Sequence, residues 1–381
     1  MEPITSGTLM HRSSKMRPPL SAQAIADLAE CRAALRTGSY TFYAASLLLP
    51  KAVREPASAL YAFCRLADDA VDNATDNDTD NATDSVSCNR AQGGSDRGGG
   101  KHAAVARLRA RLDAAYSGEA LPVGSVAADR ALAAVVSHFE IPRALLDALL
   151  EGFEWDANGK RYETVEDLQA YAARVAGAVG AMMAVLRGER RAEGLARACD
   201  LGVAMQLSNI ARDVGEDARV GRLYLPQQWL REAGVDPQAW LRAPEFNPAL
   251  ATVVQRLLKV ADGLYKQVGS GVADLPLACR PGINAARYLY AEIGHEVARR
   301  GLDSVNQRAM VSRARKVWLL AGALLNLIPH QPSQVAPCLP ANQFLVDAVC
   351  LTPRAHPNDQ TLRSSDRPAR RASRRLADRV D

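Results

Sequence analysis

Apolar residues return every three or four positions along most of this chain, the period of helices that bury one face. No stretch of useful length alternates in the two-residue period of a half-buried strand. The first helical stretch runs from about Ala22 to Val71, interrupted at Gly38 and again at Pro50. The pattern then stops, because residues 73–100 are a run of Asn, Asp, Thr, Ser and Gly with almost nothing to bury, read as a disordered surface insertion. From Lys101 the periodicity resumes. It breaks near Pro122, Pro142, Asn158 and Gly159, Gly188, residues 221–226, 237–248 and 275–282, and the last helix ends near Leu327. The expectation is an all-α, single-domain helical bundle over residues 22–330. A flexible N-terminus (1–21) precedes it, and a Pro- and Arg-rich tail (331–381), mostly disordered, follows.

Composition changes this picture little: 48% of residues are hydrophobic and only 5% aromatic, a balance that favours helix over sheet. The formal charge of +5 is concentrated after residue 352, where eight Arg face four Asp. The body is therefore near neutral, which argues against a nucleic-acid partner for the folded part. Seven scattered cysteines without a C-x-x-C spacing fit reduced thiols and a cytoplasmic location. The longest apolar runs, from Ala176 to Leu186 and from Trp318 to Pro329, are too short to span a bilayer, and the first twenty residues lack the apolar core of a signal peptide. Peripheral contact with a membrane, at its inner face, remains compatible with these runs.

Candidate chemistry begins with Tyr61, Arg65, Asp68 and Asp72, which follow one another at steps of four, three and four and so share one face of a helix. Two carboxylates one turn apart repel by about 0.2–0.5 kcal/mol, which suggests a cation between them. Taken alone, the stripe reads equally well as a solvated surface on which Arg65 pairs with Asp69. A second stripe decides between these readings: Gln206, Asn209, Asp213 and Asp217 repeat at steps of three, four and four, with apolar Leu201, Val203, Met205 and Ile210 off that face. Two inward-facing D-x-x-x-D stripes would bury more negative charge than a core tolerates unless cations neutralise it. Oxygen ligands without His or Cys select Mg²⁺, with Mn²⁺ as the alternative, and Mg²⁺ commonly completes its shell with substrate phosphates. A diphosphate held between the stripes would be a good leaving group.

Residues 38–50, 61–72, 171–180 and 209–226 carry a resemblance to the squalene/phytoene synthase family, in order and spacing across most of residues 38–316. The resemblance implies an isoprenoid-synthase-type bundle around a central cavity and head-to-head condensation of two geranylgeranyl diphosphates through prephytoene diphosphate to phytoene. Farnesyl diphosphate and a squalene- or dehydrosqualene-type reaction are the alternative. No NADPH is expected, and enzymes of carotenoid biosynthesis are the implied partners. By the same resemblance Asp68, Asp72, Asp213 and Asp217 hold the metal, with Arg65, Gln206 and Asn209 beside it. Ser39 and Thr41 lie near diphosphate. Tyr61, Tyr171 and Tyr290 line the reaction chamber, and Arg212, Arg222 and Arg308 face the departing diphosphate. Val175, Ala176, Val179 and Gly180 border the prenyl tail, although small residues there also read as close helix packing. Met182 and Met183 are candidates for the same tunnel. His138 and His295 read as structural or exposed, and Cys64, expected on the far face of the first stripe, is assigned no chemistry.

Overall fold

The interruptions at Gly38 and Pro50 divide the N-terminal stretch into α1 (Ala22–Gly38), α2 (Tyr40–Ser46) and α3 (Lys51–Asp72). The computed structural model describes residues 21–38, 40–72, 99–122, 124–272, 275–325 and 337–352. Ser39, most of the expected insertion and the Arg-rich segment after residue 352 lie outside these residues, as do the side chains of Thr41 and Asp72. The chain resumes with α4 (Gly99–Tyr116), α5 (Ala127–Phe139), α6 (Arg143–Ala157) and α7 (Val165–Ala172). A π-helical turn (Ala173–Gly177) leads into α8 (Ala178–Leu186). Then come α9 (Ala192–Arg219), α10 (Gln227–Glu232), α11 (Pro237–Arg242), α12 (Pro248–Gly271), α13 (Arg280–Arg299), α14 (Arg313–Leu325) and α15 (Gln343–Cys350). Among the described residues there is no strand, as the periodicity predicts.

Local chemistry sets several helix starts. Thr164 and Asp167 form a reciprocal capping box at α7, and Asn247 caps α12 with Pro248 at the first helical position. The centre of the bundle is α9, whose 28 residues extend about 42 Å. It packs on α12, α8, the π turn and α13, burying Leu207, Ile210, Ala211 and Val214. Two glycines allow α9 to approach α8 and the π turn: a Cβ at Gly180 would overlap the Ala198 carbonyl, and one at Gly202 would overlap the Ala176 carbonyl. Gly180 thus meets the close-packing reading of the small-residue run.

The expected tail is folded at its beginning. Residues 337–352 return to the bundle through a 3₁₀ turn (Pro340–Asn342) and α15, which packs on α9, α8 and α6. Leu345, Val346 and Val349 are buried there, each stabilising the docked segment by about 1.5–3 kcal/mol. Asn342 also donates to the buried Asp200 carboxylate at 2.9 Å. The insertion is likewise shorter than expected at its end, since α4 begins at Gly99. The continuous run Val165–Leu186 is long and apolar enough to cross a membrane. However, about half of it is buried within the protein, where it serves as a wall of the core.

Candidate active site

The bundle encloses a cavity of about 1150 Å³, larger than the roughly 300–1000 Å³ typical of small-ligand sites. Its lining changes along its length, and Arg187, Glu189, Arg191, Glu193 and Arg197 form a second charged group away from the aspartate stripes. At one end α3 contributes Tyr61, Arg65 and Asp68, and α9 contributes Gln206, Asn209, Arg212, Asp213, Glu216 and Asp217. Arg222, Tyr290 and Arg308 complete that end. Apart from Met182, every residue that the sequence assigned to the site and whose side chain is described lines one space. From there the cavity follows α8 past Val175, Ala176, Val179, Gly180, Met183 and Ala184, with Leu201, Gly202 and Met205 of α9 facing them. From Asp213 back to Arg197, both lining residues, α9 rises about 24 Å. Met183 lines this tunnel, whereas Met182 is fully buried in the core. Cys64 corrects the expectation of a far face, because it too borders the cavity. Burial pushes its thiol up to about 12, so it stays protonated.

Electrostatics at the polar end are unequal. On α3, Arg65 reaches Asp69 at 2.8 Å and Asp68 at 3.5 Å. On α9, Asp213 is held by Arg212 (Nε to Oδ1, 2.7 Å) and by Arg308 (Nε to Oδ1, 3.0 Å), and Arg308 also lies 3.5 Å from Glu216. Asp217, one turn further, is pushed up to about 8 by burial and then by the charge of Asp213, against a smaller opposing pull from Arg222. A carboxyl driven to protonate by burial and by a neighbouring carboxylate marks a site where added positive charge is favourable, and the carboxylates and amides beside it offer oxygen ligands. That chemistry fits a hard divalent cation. Among the described residues no three His, Cys, Asp or Glu side chains converge enough to hold a metal alone. Mg²⁺ sites commonly depend on substrate phosphates in this way.

The aromatic residues are fixed by contacts that periodicity does not reveal. Tyr61 stacks on Phe42, with ring centroids 5.7 Å apart. Tyr171 and Tyr224 both donate to Asp156, each at 2.7 Å, and their hydroxyls are 3.3 Å apart. Burial holds both phenols well above their ordinary range. Asp156, at the end of α6, lines the cavity and adds to the negative field at Asp217. Sequence reasoning missed it because a single carboxylate at a helix end has no periodic partner. Glu216 was hidden beside the stripe, and Tyr224 was quoted within residues 221–226 but given no role.

The fold and site are those of an all-α enzyme with two carboxylate-bearing helices facing one long cavity, part polar and part apolar. The chain matches the squalene/phytoene synthase family over residues 35–337 and belongs to it. It is 50% identical over 328 residues to a phytoene synthase of Rhodobacter capsulatus, covering 85% of this chain and 90% of that protein. It is also 51% identical over 340 residues to a phytoene synthase of Cereibacter sphaeroides, covering 88% and 90%. Among solved structures, a dehydrosqualene synthase in complex with ligand superposes with a TM-score of 0.64 at 30% identity, over 80% of this chain and 98% of the other. A squalene synthase from Alicyclobacillus acidocaldarius, 23% identical with a TM-score of 0.61 over 74% of this chain and 97% of the other, shares the fold. Prenyltransferase activity of this family follows from these likenesses.

Proposed function

We propose that the chain condenses two geranylgeranyl diphosphates head to head into phytoene, releasing diphosphate, with Mg²⁺ as cofactor and no need of NADPH. One observation carries the proposal: a single cavity joins Asp68, Asp213 and Asp217 to the apolar and small residues of α8 and α9, Val175, Ala176, Val179, Gly180, Leu201 and Met205. The identity to phytoene synthases supports the choice of substrate.

Asp68, Asp72, Asp213 and Asp217 would hold the metal, assisted by Gln206 and Asn209. Bound Mg²⁺ supplies neutralisation of the charge that develops on the leaving diphosphate. Arg65, Arg212, Arg222 and Arg308 bind diphosphate oxygens, with Ser39 and Thr41 as hydroxyl contacts. The first donor ionises, and its allylic carbon alkylates the second molecule. Loss of a proton then closes the cyclopropane of prephytoene diphosphate. The second ionisation, rearrangement and proton loss give phytoene. Tyr61, Tyr171 and Tyr290 present aromatic faces to the cationic carbon, while Val175, Ala176, Val179 and Gly180 keep the tails out of water. The proposal includes a cytoplasmic location with peripheral contact at the inner face of the membrane, carotenoid-pathway enzymes as partners, and no nucleic acid.

Purified protein given geranylgeranyl diphosphate and Mg²⁺ without reductant is expected to form phytoene. Competition with farnesyl diphosphate, with products separated by chromatography, tests the substrate. Preferential thirty-carbon product, or strict dependence on NADPH, would leave the squalene-type reaction in its place.

A further inference from the structure

Half of the exposed large apolar side chains among the described residues gather at one place, and the others are scattered singly over the bundle. Val317, Trp318, Leu324 and Leu325 are exposed on α14, with Trp318 at 63% and Leu325 at 83%. Leu47 at the end of α2 and Leu277 in the 3₁₀ turn before α13 are exposed as well. The packing brings these elements together. Arg315, near the start of α14, is bonded to Glu292 far along α13 at 2.8 Å. Further on, Leu319 and Ala323 pack into a cluster with Leu289, Ala285 and Ala45. The two helices therefore run antiparallel, and the last turn of α14 returns to the start of α13. There a Cβ on Gly282 would meet Leu49, so the end of α2 is adjacent.

The charge of this layer is one-sided. Helices α13 and α14 together hold six Arg and Lys residues against Glu292 and Glu296, and α14 has no acidic residue. Glu292 is buried and ties Arg299 and Arg315 at once, which fixes α14 to the bundle. Arg315 also lies 4.5 Å from the Trp318 ring centroid. A rigid helix with basic residues in its first turn and exposed Trp, Val and Leu beyond them combines the features of an interfacial helix. A second copy of the chain would carry the same positive charge onto this face, whereas an anionic bilayer complements it.

We propose that the outer face of α14, with the tips of α2 and of the 3₁₀ turn before α13, docks on an anionic lipid bilayer. This deepens the peripheral contact proposed above, and it does not depend on which diphosphate is the substrate. The face lies one layer outside Phe42, Leu49, Gly282 and Ile283, which line the cavity. Docking would thus set the reaction chamber next to the phase in which a hydrocarbon product dissolves.

Flotation of the full chain with phosphatidylcholine vesicles, with and without phosphatidylglycerol, tests this, with turnover of detergent-delivered substrate measured separately. Binding to the anionic vesicles that weakens with salt is expected. Trp318→Glu combined with Leu325→Glu should lower partitioning about tenfold or more, from the loss of two apolar anchors. Arg313→Gln should lower it about fivefold on anionic vesicles only. Turnover in detergent should stay within about twofold for both variants, as the anchors are exposed and remote from the reacting groups. Failure of the wild-type chain to float, or unchanged flotation of the double variant, would overturn the assignment. So would a dimer in sedimentation that the double variant splits without altering flotation, which would give the face to a second copy.

Discussion

The aspartate stripes of α3 and α9 are written in the same D-x-x-x-D spacing, yet the bundle treats them differently. On α3 the Asp68 and Arg65 side chains are 46% and 49% exposed, and Arg65 is shared between Asp68 and Asp69. Water therefore screens much of their interaction. On α9 the Asp213 side chain is only 17% exposed and is clamped by Arg212 and Arg308, while Asp217 is driven up to about 8. Asp217 on α9 is thus poised to respond to an arriving cation, whereas Asp68 on α3 stands half in solvent beside Arg65. Identical local spacing gives the same geometry along a helix but not the same electrostatic state.

The largest effect expected removes the comparison altogether. Asp68→Asn, Asp72→Asn, Asp213→Asn and Asp217→Asn should each lower turnover by about 10²-fold or more, because each removes charge from the groups proposed to hold the metal. Steady-state kinetics at saturating Mg²⁺ check this, and normal turnover in any one of them would remove that carboxylate from the set.

Next in size is Asp156→Asn. It should leave the fold intact but loosen Tyr171 and Tyr224, which both donate to this carboxylate. A fall in kcat of up to about a hundredfold, with KM little changed, is expected for misplaced chamber walls. Tyr224→Phe should lose less, since Tyr171 keeps its own bond. Equal losses in both variants would show that the Tyr224 hydroxyl does more than share Asp156.

Gly202→Ala acts on the scaffold. The added methyl meets the Ala176 carbonyl and must push α9 away from the π turn, at a cost of about 1–3 kcal/mol in a denaturant titration. It would also shift the α9 stripe relative to α3, so loss of Mg²⁺-dependent turnover should exceed what lower stability explains.

The smallest effect sharpens the comparison most. Asp217 has a raised folded value of about 8 against 3.8 for the ordinary carboxyl, so the folded state keeps a proton that the unfolded state loses. Its contribution is fully present below pH 3.8 and declines as pH rises through about 8. In the metal-free protein Asp217→Asn should therefore raise Tm by a few degrees at pH 8–9 and less at pH 5. Thermal melts of the variant and the parent across pH in the presence of a chelator measure this, and a gain in Tm that does not grow with pH would remove the raised Asp217 value as its cause.

Helicity, the two stripes and the tunnel run from Val175 to Gly180 were legible in the sequence because each is a local repeat. A 3.6-residue period places Asp213 and Asp217 on one face whatever surrounds them. What surrounds them was not legible. Asp156 became a site residue only when α6 brought it under Tyr171 and Tyr224. Cys64 came to the cavity wall through the packing of α3 in the bundle, and Gln343 to Cys350 became a helix that α8 and α9 bury. The deep burial of Asp217, against the half-exposed Asp68, was likewise a tertiary outcome. Spacing is determined by backbone geometry, which each segment carries with it, whereas burial and the field of neighbouring charges depend on segments far away in sequence that meet only in the folded bundle.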